Sequence, residues 1–598
     1  MFWRKKKPKK EKDQRKKRRR RSRDRMEQTL ENFVVEEIEI GAVPSAGLPA
    51  ESRNTSRISR RSRRKVVTGI RFVFGWTGLW LLIVAAGMVT REIWPPDETR
   101  MLALVWDMYH RGDWLTPRLN GEPWLHQAPG ALWLVLSGWQ FLGLNDWWPR
   151  LLPAMAGFLV LFFTSLFAQK LWPDQKEVVR YTPLLLLGSV LWAIYQTLAL
   201  ADLVLVCVVL LTMMAVHSYA AGGRAAGFVL GLLTGMALLV GGPVALVYLL
   251  PAMLLAPMWS DGNRKTGWGS WYGAIALATV IGIGLWLAWL IPAAAATGMG
   301  WQQAVAAAST LQPLELFYNK GGWWWYLYLI PLAFFPWSVW PLGWMRLWQV
   351  RSQKSDSGFT LCLVWGVAAV VLLAMLPVRQ PQYLLPLFPA YVLAFAWLLM
   401  HEDLRTVGED GFFAGMTFPV IAIGGALAVL PGLPQVEFLP AFLWQISPLV
   451  GVAVAAVGIA LSWAPTMNTG NRVVSIAVTT MFVVVAGSFF IGYQWGDRFQ
   501  TKALNQLLYE AENQGRAIAQ VAAYQGEFHF DARLTQPIYV LSREQTRNWI
   551  LENPTSLMIT YAGGWQPNAI GDSAKLLELP YGDSTLQVWD AGLLIPSP

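Results

Sequence analysis

Asp202-Leu203-Val204-Leu205-Val206-Cys207-Val208-Val209-Leu210-Leu211-Thr212-Met213-Met214-Ala215-Val216 decides what kind of protein this is. After the opening acid, no Lys, Arg, Asp or Glu appears until Arg224. An α-helix of about 20 such residues crosses ~30 Å of hydrocarbon. Comparable runs recur from Val66 to Tyr493. Only 15% of the 598 residues are charged, and 54% are hydrophobic. A soluble chain of this size would carry about 25% charged residues. Soluble enzymes, secreted disulfide scaffolds and fibrous proteins are excluded. A β-barrel is excluded too, since its strands would be about 10 residues of alternating polarity. The chain reads as a polytopic α-helical membrane protein.

The net charge of +11 is local in origin. Residues 1–25 hold a balance of +13, residues 26–66 add +1, and the remainder carries −3. The segment 1–65 is low in complexity and cannot bury enough apolar surface to offset its chain entropy, which predicts a disordered basic tail. Its run Arg15-Lys16-Lys17-Arg18-Arg19-Arg20-Arg21 could bind nucleic acid. Beside a membrane helix it more simply lies on anionic lipid head groups and holds the N-terminus in the cytoplasm, so nucleic acid is an unlikely partner. Cys207 and Cys362 both sit inside apolar runs, which implies no disulfide framework. The first apolar run starts too late and is too long for a secretory signal peptide.

Ala131–Leu144 is apolar but only fourteen residues long, short for a span. If it lies on the membrane surface, the loops with Lys170/Lys176/Arg180, Arg224, Arg264/Lys265, Arg346/Arg351/Lys354, Arg405 and Arg472 share the side of the basic tail. The positive-inside bias prefers that arrangement. It predicts about thirteen spans, with interfacial helices in a first outer loop at 90–149 and a membrane domain at 66–493. The N-terminus then lies inside and the C-terminus outside. No internal repeat or paired broken helix is evident.

Residues 494–598 read as a small outer α/β domain. Leu504, Leu507, Leu508 and Ala511 recur at helical spacing, and Gly515 can close that helix. Ser542 and Gln545 form a capping box before a second helix. Gln520–Tyr524, Ile538–Leu541, Ser556–Tyr561 and Leu586–Trp589 look like strands.

The outer face collects the chemistry. Trp94-Pro95-Pro96-Asp97-Glu98-Thr99-Arg100 follows the first span, and two prolines before an acid suit a helix start. Asp97 could then simply cap that helix. Asp202 is the only acid from Tyr181 through Gly223. An ionisable group there is a functional-site hypothesis, against the simpler reading of a cap facing water. Arg379 is isolated in apolar sequence and suits a phosphate or carboxylate, or else snorkels to water. Lys320-Gly321-Gly322-Trp323-Trp324-Trp325-Tyr326 reads first as an aromatic belt. Physical reasoning alone reaches an outer-face site with two carboxylates, one or two arginines and lipid access.

Pro96-Asp97-Glu98-Thr99-Arg100, then Gly112-Asp113-Trp114-Leu115-Thr116-Pro117 and Leu119-Asn120-Gly121, resembles the first outer loop of the aminoarabinose transferase/protein O-mannosyltransferase superfamily. Leu200-Ala201-Asp202, Trp324-Trp325-Tyr326-Leu327, Phe335-Pro336-Trp337 and Arg379–Pro389 support the resemblance, which covers roughly residues 67–400. It implies a GT-C fold and an inverting glycosyltransferase of the bacterial inner membrane, acting on the periplasmic side. The donor would be a polyprenyl-phosphate sugar; the acceptor stays open among lipid, glycan and protein. Asp97 and Asp202 would be catalytic, and Glu98, Arg100, Lys320, Arg379 and Tyr383 would contact substrate. A divalent ion between carboxylates and phosphate is compatible, but no tight ligand cluster demonstrates one.

The chain departs from the pattern in three places, one being the histidine expected ahead of the Trp-rich stretch, where Asn319 or Lys320 stands. Relatives commonly carry an acid and a lysine where this chain has His126-Gln127-Ala128-Pro129, and Lys-Gly-Pro where it has Gly241-Gly242-Pro243. Two other readings therefore stay open: a non-catalytic scaffold of the same fold, and a transporter of a lipid-linked solute.

Overall fold

Long apolar runs form helices because each helix satisfies its own backbone groups where no water can. The computed structural model describes residues 76–90, 93–198, 202–223, 226–260, 267–309, 322, 324–351, 356–377, 379–401, 414–434, 444, 447–462, 468–495, 501–564, 574–582 and 584–594. The basic tail and Lys320 lie outside them.

Among the described residues, seven helical segments are long and apolar enough to cross a membrane, from Trp148–Leu171 to Thr469–Phe489. Three shorter apolar helices accompany them, Trp76–Thr90, Val420–Gly432 and Pro448–Ile459. The chain is a multi-pass membrane protein, but the thirteen spans expected are not matched one for one. Breaks are the reason. The segment Gly227–Leu254 reverses at Gly242, whose φ is +65°. Leu238 packs with Trp289 and Leu290 near the far end of the helix Trp268–Thr297. By contrast, Trp271, near its start, donates to the Met253 carbonyl at 3.0 Å.

Two of the apolar segments, those around residues 190 and 334, are each broken, at Gly188-Ser189 and through Phe334–Trp340. The breaks close on one another. Val190 N donates to Phe335 O at 3.0 Å, and Trp337 Nε1 donates to Leu185 O at 2.8 Å. A Cβ on Gly188 would overlap the Trp337 ring, so the crossing requires glycine. A paired break of this kind is absent from the sequence reading. It is a packed crossing, with Trp337 fully buried, rather than a polar cavity.

The first loop is built as short pieces. Helix Asp97–Arg111 packs on the short apolar helix Pro129–Leu142 through Leu102, Val105, Leu132, Val135 and Leu136. Between them, β1 (Arg118–Leu119) and β2 (Glu122–Pro123) form a hairpin whose turn is Asn120-Gly121. Both turn residues have positive φ, +53° and +84°, the backbone that Asn-Gly adopts in two-residue hairpins.

The C-terminal domain carries a mixed five-stranded sheet. Its strands are β3 (Ile518–Gln520), β4 (Tyr539–Val540), β5 (Leu557–Tyr561), β6 (Lys575–Tyr581) and β7 (Ser584–Asp590), in the order β4-β3-β5-β7-β6. β6 went unread because Pro580 and an irregular register near Lys575 obscure its alternation. Helix Lys502–Asn513 buries Leu504, Leu508 and Ala511 against the sheet, and Gly515 follows it at φ +71°. Ser542 and Gln545 exchange the two capping-box hydrogen bonds, at 3.1 and 3.3 Å.

This domain locks onto the first loop. Trp139 stacks on Phe530 with ring centroids 5.1 Å apart, and Trp106 Nε1 donates to Leu534 O at 2.7 Å. Arg533 covers the Phe530 ring and pairs with Asp146 at 3.1 Å.

Candidate active site

The two prolines open a helix as expected, with Pro96 at the cap position and Asp97 and Glu98 in the first turn. Acids are favoured there by the positive helix end. Their side chains diverge. Glu98 is buried and turns back, accepting the Trp94 N–H at 2.8 Å. Asp97 makes no capping bond; its Oδ1 pairs with Arg100 Nη2, one helical turn on. Arg100 Nη1 in turn donates to Gln525 Oε1 of the C-terminal domain at 2.9 Å.

Burial raises the Asp97 carboxyl above its usual range, and the charge and hydrogen bond of Arg100 only partly reverse this. Burial lowers Arg100, offset in part by Asp97 and Glu527. Asp97 keeps an open side, with 36% of its side chain exposed against 12% for Arg100.

Asp202 begins the helix Asp202–Ala220 and comes close enough to Asp97 for the two charges to interact. The two acids expected to share a cleft are therefore neighbours. Tyr195 lies within reach of both charges, and Tyr383 within reach of Asp202. The loop from Arg379 is stitched to this centre. Tyr195 donates to Gln382 Oε1 at 3.2 Å, Gln382 Nε2 donates to Gln380 Oε1 at 2.8 Å, and Tyr248 donates to the Tyr383 carbonyl at 3.0 Å. Arg379 Nη2 donates to Ala374 O at 3.2 Å and acts electrostatically on Tyr326.

Tyr195, Tyr248, Tyr326, Gln380, Gln382 and Gln525 were not singled out from sequence. Gln380, Gln382 and Tyr326 lie inside quoted motifs without a role assigned to them, and a lone tyrosine in an apolar run is a faint signal. Gln525 carried no signal at all. His126 was noted only as a departure, yet it lies within electrostatic reach of Arg100 and donates to the Ala307 carbonyl, and its affinity for a proton is lowered mainly by burial.

The trailing motif is structural. Gly112 ends the helix in the left-handed conformation at φ +66°. Asp113 Oδ1 then accepts the Leu115 N–H at 2.8 Å, and Arg111 bridges Asp113 and Asp107 at 2.7 and 2.5 Å. Burial opposes its charge, but bonds from Thr116, Leu115 and Arg111 outweigh that and hold Asp113 down at about 2.

The departure at Gly241 is also packed in. A Cβ there would lie 2.7 Å from Leu205 Cδ2, so a longer side chain would have to turn the end of Leu205 aside. Among the described residues, no three His, Cys, Asp or Glu side chains converge as a metal site.

No family model matches the chain. It is 26% identical over 367 residues to an undecaprenyl phosphate-alpha-4-amino-4-deoxy-L-arabinose arabinosyl transferase of Pseudomonas fluorescens, covering 58% of this chain and 64% of that protein. Its Pseudomonas aeruginosa counterpart is 25% identical over 387 residues, covering 63% and 66%. The matches thus span just under two thirds of these relatives' length. In structure, the chain is similar to ArnT from Cupriavidus metallidurans in the apo state, with a TM-score of 0.67 at 15% identity over 89% of this chain and all of that one. It is also similar to the same protein bound to undecaprenyl phosphate, with a TM-score of 0.65 at 16% identity over 88% and 99%. In sequence the chain is thus similar to the aminoarabinose transferases, and in fold to ArnT.

Proposed function

We propose that this chain is an integral membrane glycosyltransferase that moves a sugar from a polyprenyl-phosphate donor to an acceptor, with inversion. The observation that carries the reading is the Asp97 carboxylate, paired with Arg100 and within electrostatic reach of Asp202. The similarity to a protein that binds undecaprenyl phosphate, and to relatives named for an aminoarabinose donor, supports the donor class. Asp97 takes the acceptor proton as the acceptor oxygen attacks the anomeric carbon. The bond to the donor phosphate breaks with its electrons leaving on the phosphate. A positioned base of this kind contributes roughly 10²–10⁴-fold. Its raised affinity for a proton suits the task.

Arg379 is the proposed partner for the departing phosphate, with Tyr383 and Lys320 also assigned to substrate. Glu98 positions the helix start rather than touching substrate. Asp202 shapes the acidic centre with Asp97. The loop charges support a periplasmic site in a bacterial inner membrane, with the basic tail on anionic head groups inside.

One observation favours the second reading, a non-catalytic scaffold: Gln127 and Gly241 stand where relatives commonly carry lysines. Full-length protein in nanodiscs, offered undecaprenyl-phosphate aminoarabinose and then other pentosyl and hexosyl donors, separates the two. Release of polyprenyl phosphate that collapses in Asp97→Asn supports the transferase. No release and no donor binding supports the scaffold.

A further inference from the structure

We infer that the turn Gln525-Gly526-Glu527 of the C-terminal domain is part of the active site, as the element that positions Arg100 and through it Asp97. This inference deepens the transferase reading and rests on it.

Arg100 sits between two partners from distant parts of the chain. Asp97 holds one guanidinium nitrogen, and Gln525 Oε1 accepts from the other at 2.9 Å. Glu527 adds its charge from the same turn. The turn is closed on itself, because the Gln525 backbone N–H donates to Glu527 Oε2 at 2.8 Å. It is also pressed against the catalytic helix. A Cβ on Gly526 would lie 2.8 Å from Ala103 Cβ and 2.8 Å from Leu119 Cδ1, and 3.7 Å from Arg100 Cα. Gly526 has φ +87°, so both the backbone and the space demand glycine.

The turn is braced from behind. Tyr524 Oη lies 2.5 Å from His529 Nδ1 and accepts the Phe528 N–H at 3.1 Å. His529 is held on its other side by the Gln536 backbone.

Docking alone does not require this arrangement. Phe530, Leu534 and Ile538 already anchor the domain on Trp139, Trp106 and Asn120, and none of those contacts involves Arg100. A buried guanidinium is costly unless its donors are matched, and an Arg shared by two fixed acceptors has little freedom left. Among the described residues, Asp97 Oδ2 takes no hydrogen bond, so the carboxylate is anchored through one oxygen and open at the other.

The test compares Gln525→Ala, Glu527→Gln and Glu527→Asp with Asn120→Ala, a docking contact that does not involve Arg100, in full-length protein in nanodiscs. Hydrogen exchange at amides 100–104 is read beside turnover of the donor that the wild type accepts. Gln525→Ala and Glu527→Gln should speed exchange there and lower kcat on the order of 10- to 100-fold, the cost of a misplaced catalytic group, with KM little changed. Glu527→Asp should recover part of the loss. Unchanged exchange at 100–104 in both variants overturns the inference whatever the activity. So does an equal kcat loss in Asn120→Ala, which would make the turn a docking contact only. A wild type inert toward every donor counts against the transferase reading instead, and the exchange data still decide whether the turn positions Arg100.

Discussion

Asn120 and Ile538, 418 residues apart, exchange two hydrogen bonds: Asn120 Nδ2 donates to Ile538 O at 2.8 Å, and Ile538 N donates to Asn120 Oδ1 at 2.7 Å. The side chain of a hairpin turn thus imitates a strand edge for the C-terminal domain. Asn suits the position twice, since it also tolerates the positive φ of +53°.

Replacing Asn120 by Ala removes both bonds and leaves a strained backbone, costing about 2–4 kcal/mol of docking stability. Asn120→Gly relieves the strain but not the lost bonds and should cost about half as much. Exchange at amides 534–541, compared between the two variants, checks the order.

Gly526→Ala should be worse tolerated than a surface Gly→Ala. The backbone strain is about 1–2 kcal/mol, and the new methyl meets Ala103 Cβ, which cannot swing aside. Adding Ala103→Gly should relieve the overlap and leave the strain, so thermal unfolding should recover in part. Full recovery, or no effect of the single change, would contradict the packing described.

Asp97 should act as a base only when ionised, and its carboxyl is raised by burial. kcat/KM should therefore fall on the acid side with a midpoint above the ordinary carboxylate value of about 3.9. Asp97→Asn should lose this acid limb together with roughly 10²–10⁴-fold of the rate. A limb that persists in Asp97→Asn would assign it to another group.

His529 is buried and held at about 4, against 6.5 when exposed. The folded domain binds fewer protons than the unfolded chain between these values. Stability contributed by neutral His529 is therefore intact above pH ~6.5 and lost as pH falls toward ~4, on the order of 3 kcal/mol in all. Burial raises Glu527 nearby, which works in the opposite direction. The comparison is accordingly the pH slope of unfolding in wild type against His529→Phe, where the slope should flatten. An unchanged slope would show that this histidine does not carry it.

The membrane helices were legible because crossing a bilayer is a local demand. Each run must bury its own backbone, and Leu203–Val216 announces that by composition. The helix start at Pro95-Pro96-Asp97 and the capping box at Ser542 and Gln545 were legible for the same reason: their partners are three or four residues away. The breaks at Gly188 and Phe334 were not, because each is tolerated only through the other, Val190 N donating to Phe335 O.

The same divide runs through the candidate site. Sequence named Asp202 and Arg379 as isolated charges in apolar surroundings, and Asp97 and Arg100 through the resemblance of their motif. It could not tell that Glu98, beside Asp97, turns back to Trp94, because one helical residue rotates the side chain to another face. Nor could it find Gln525, an ordinary amide 425 residues from Arg100. Charge, apolar length and capping chemistry are properties of short stretches, and this chain's sequence determined its long apolar segments, its capped helix starts and its ionisable residues. Which acid meets which arginine, and which domain holds that arginine in place, depends on contacts between segments far apart in the chain, and only the tertiary structure decided it.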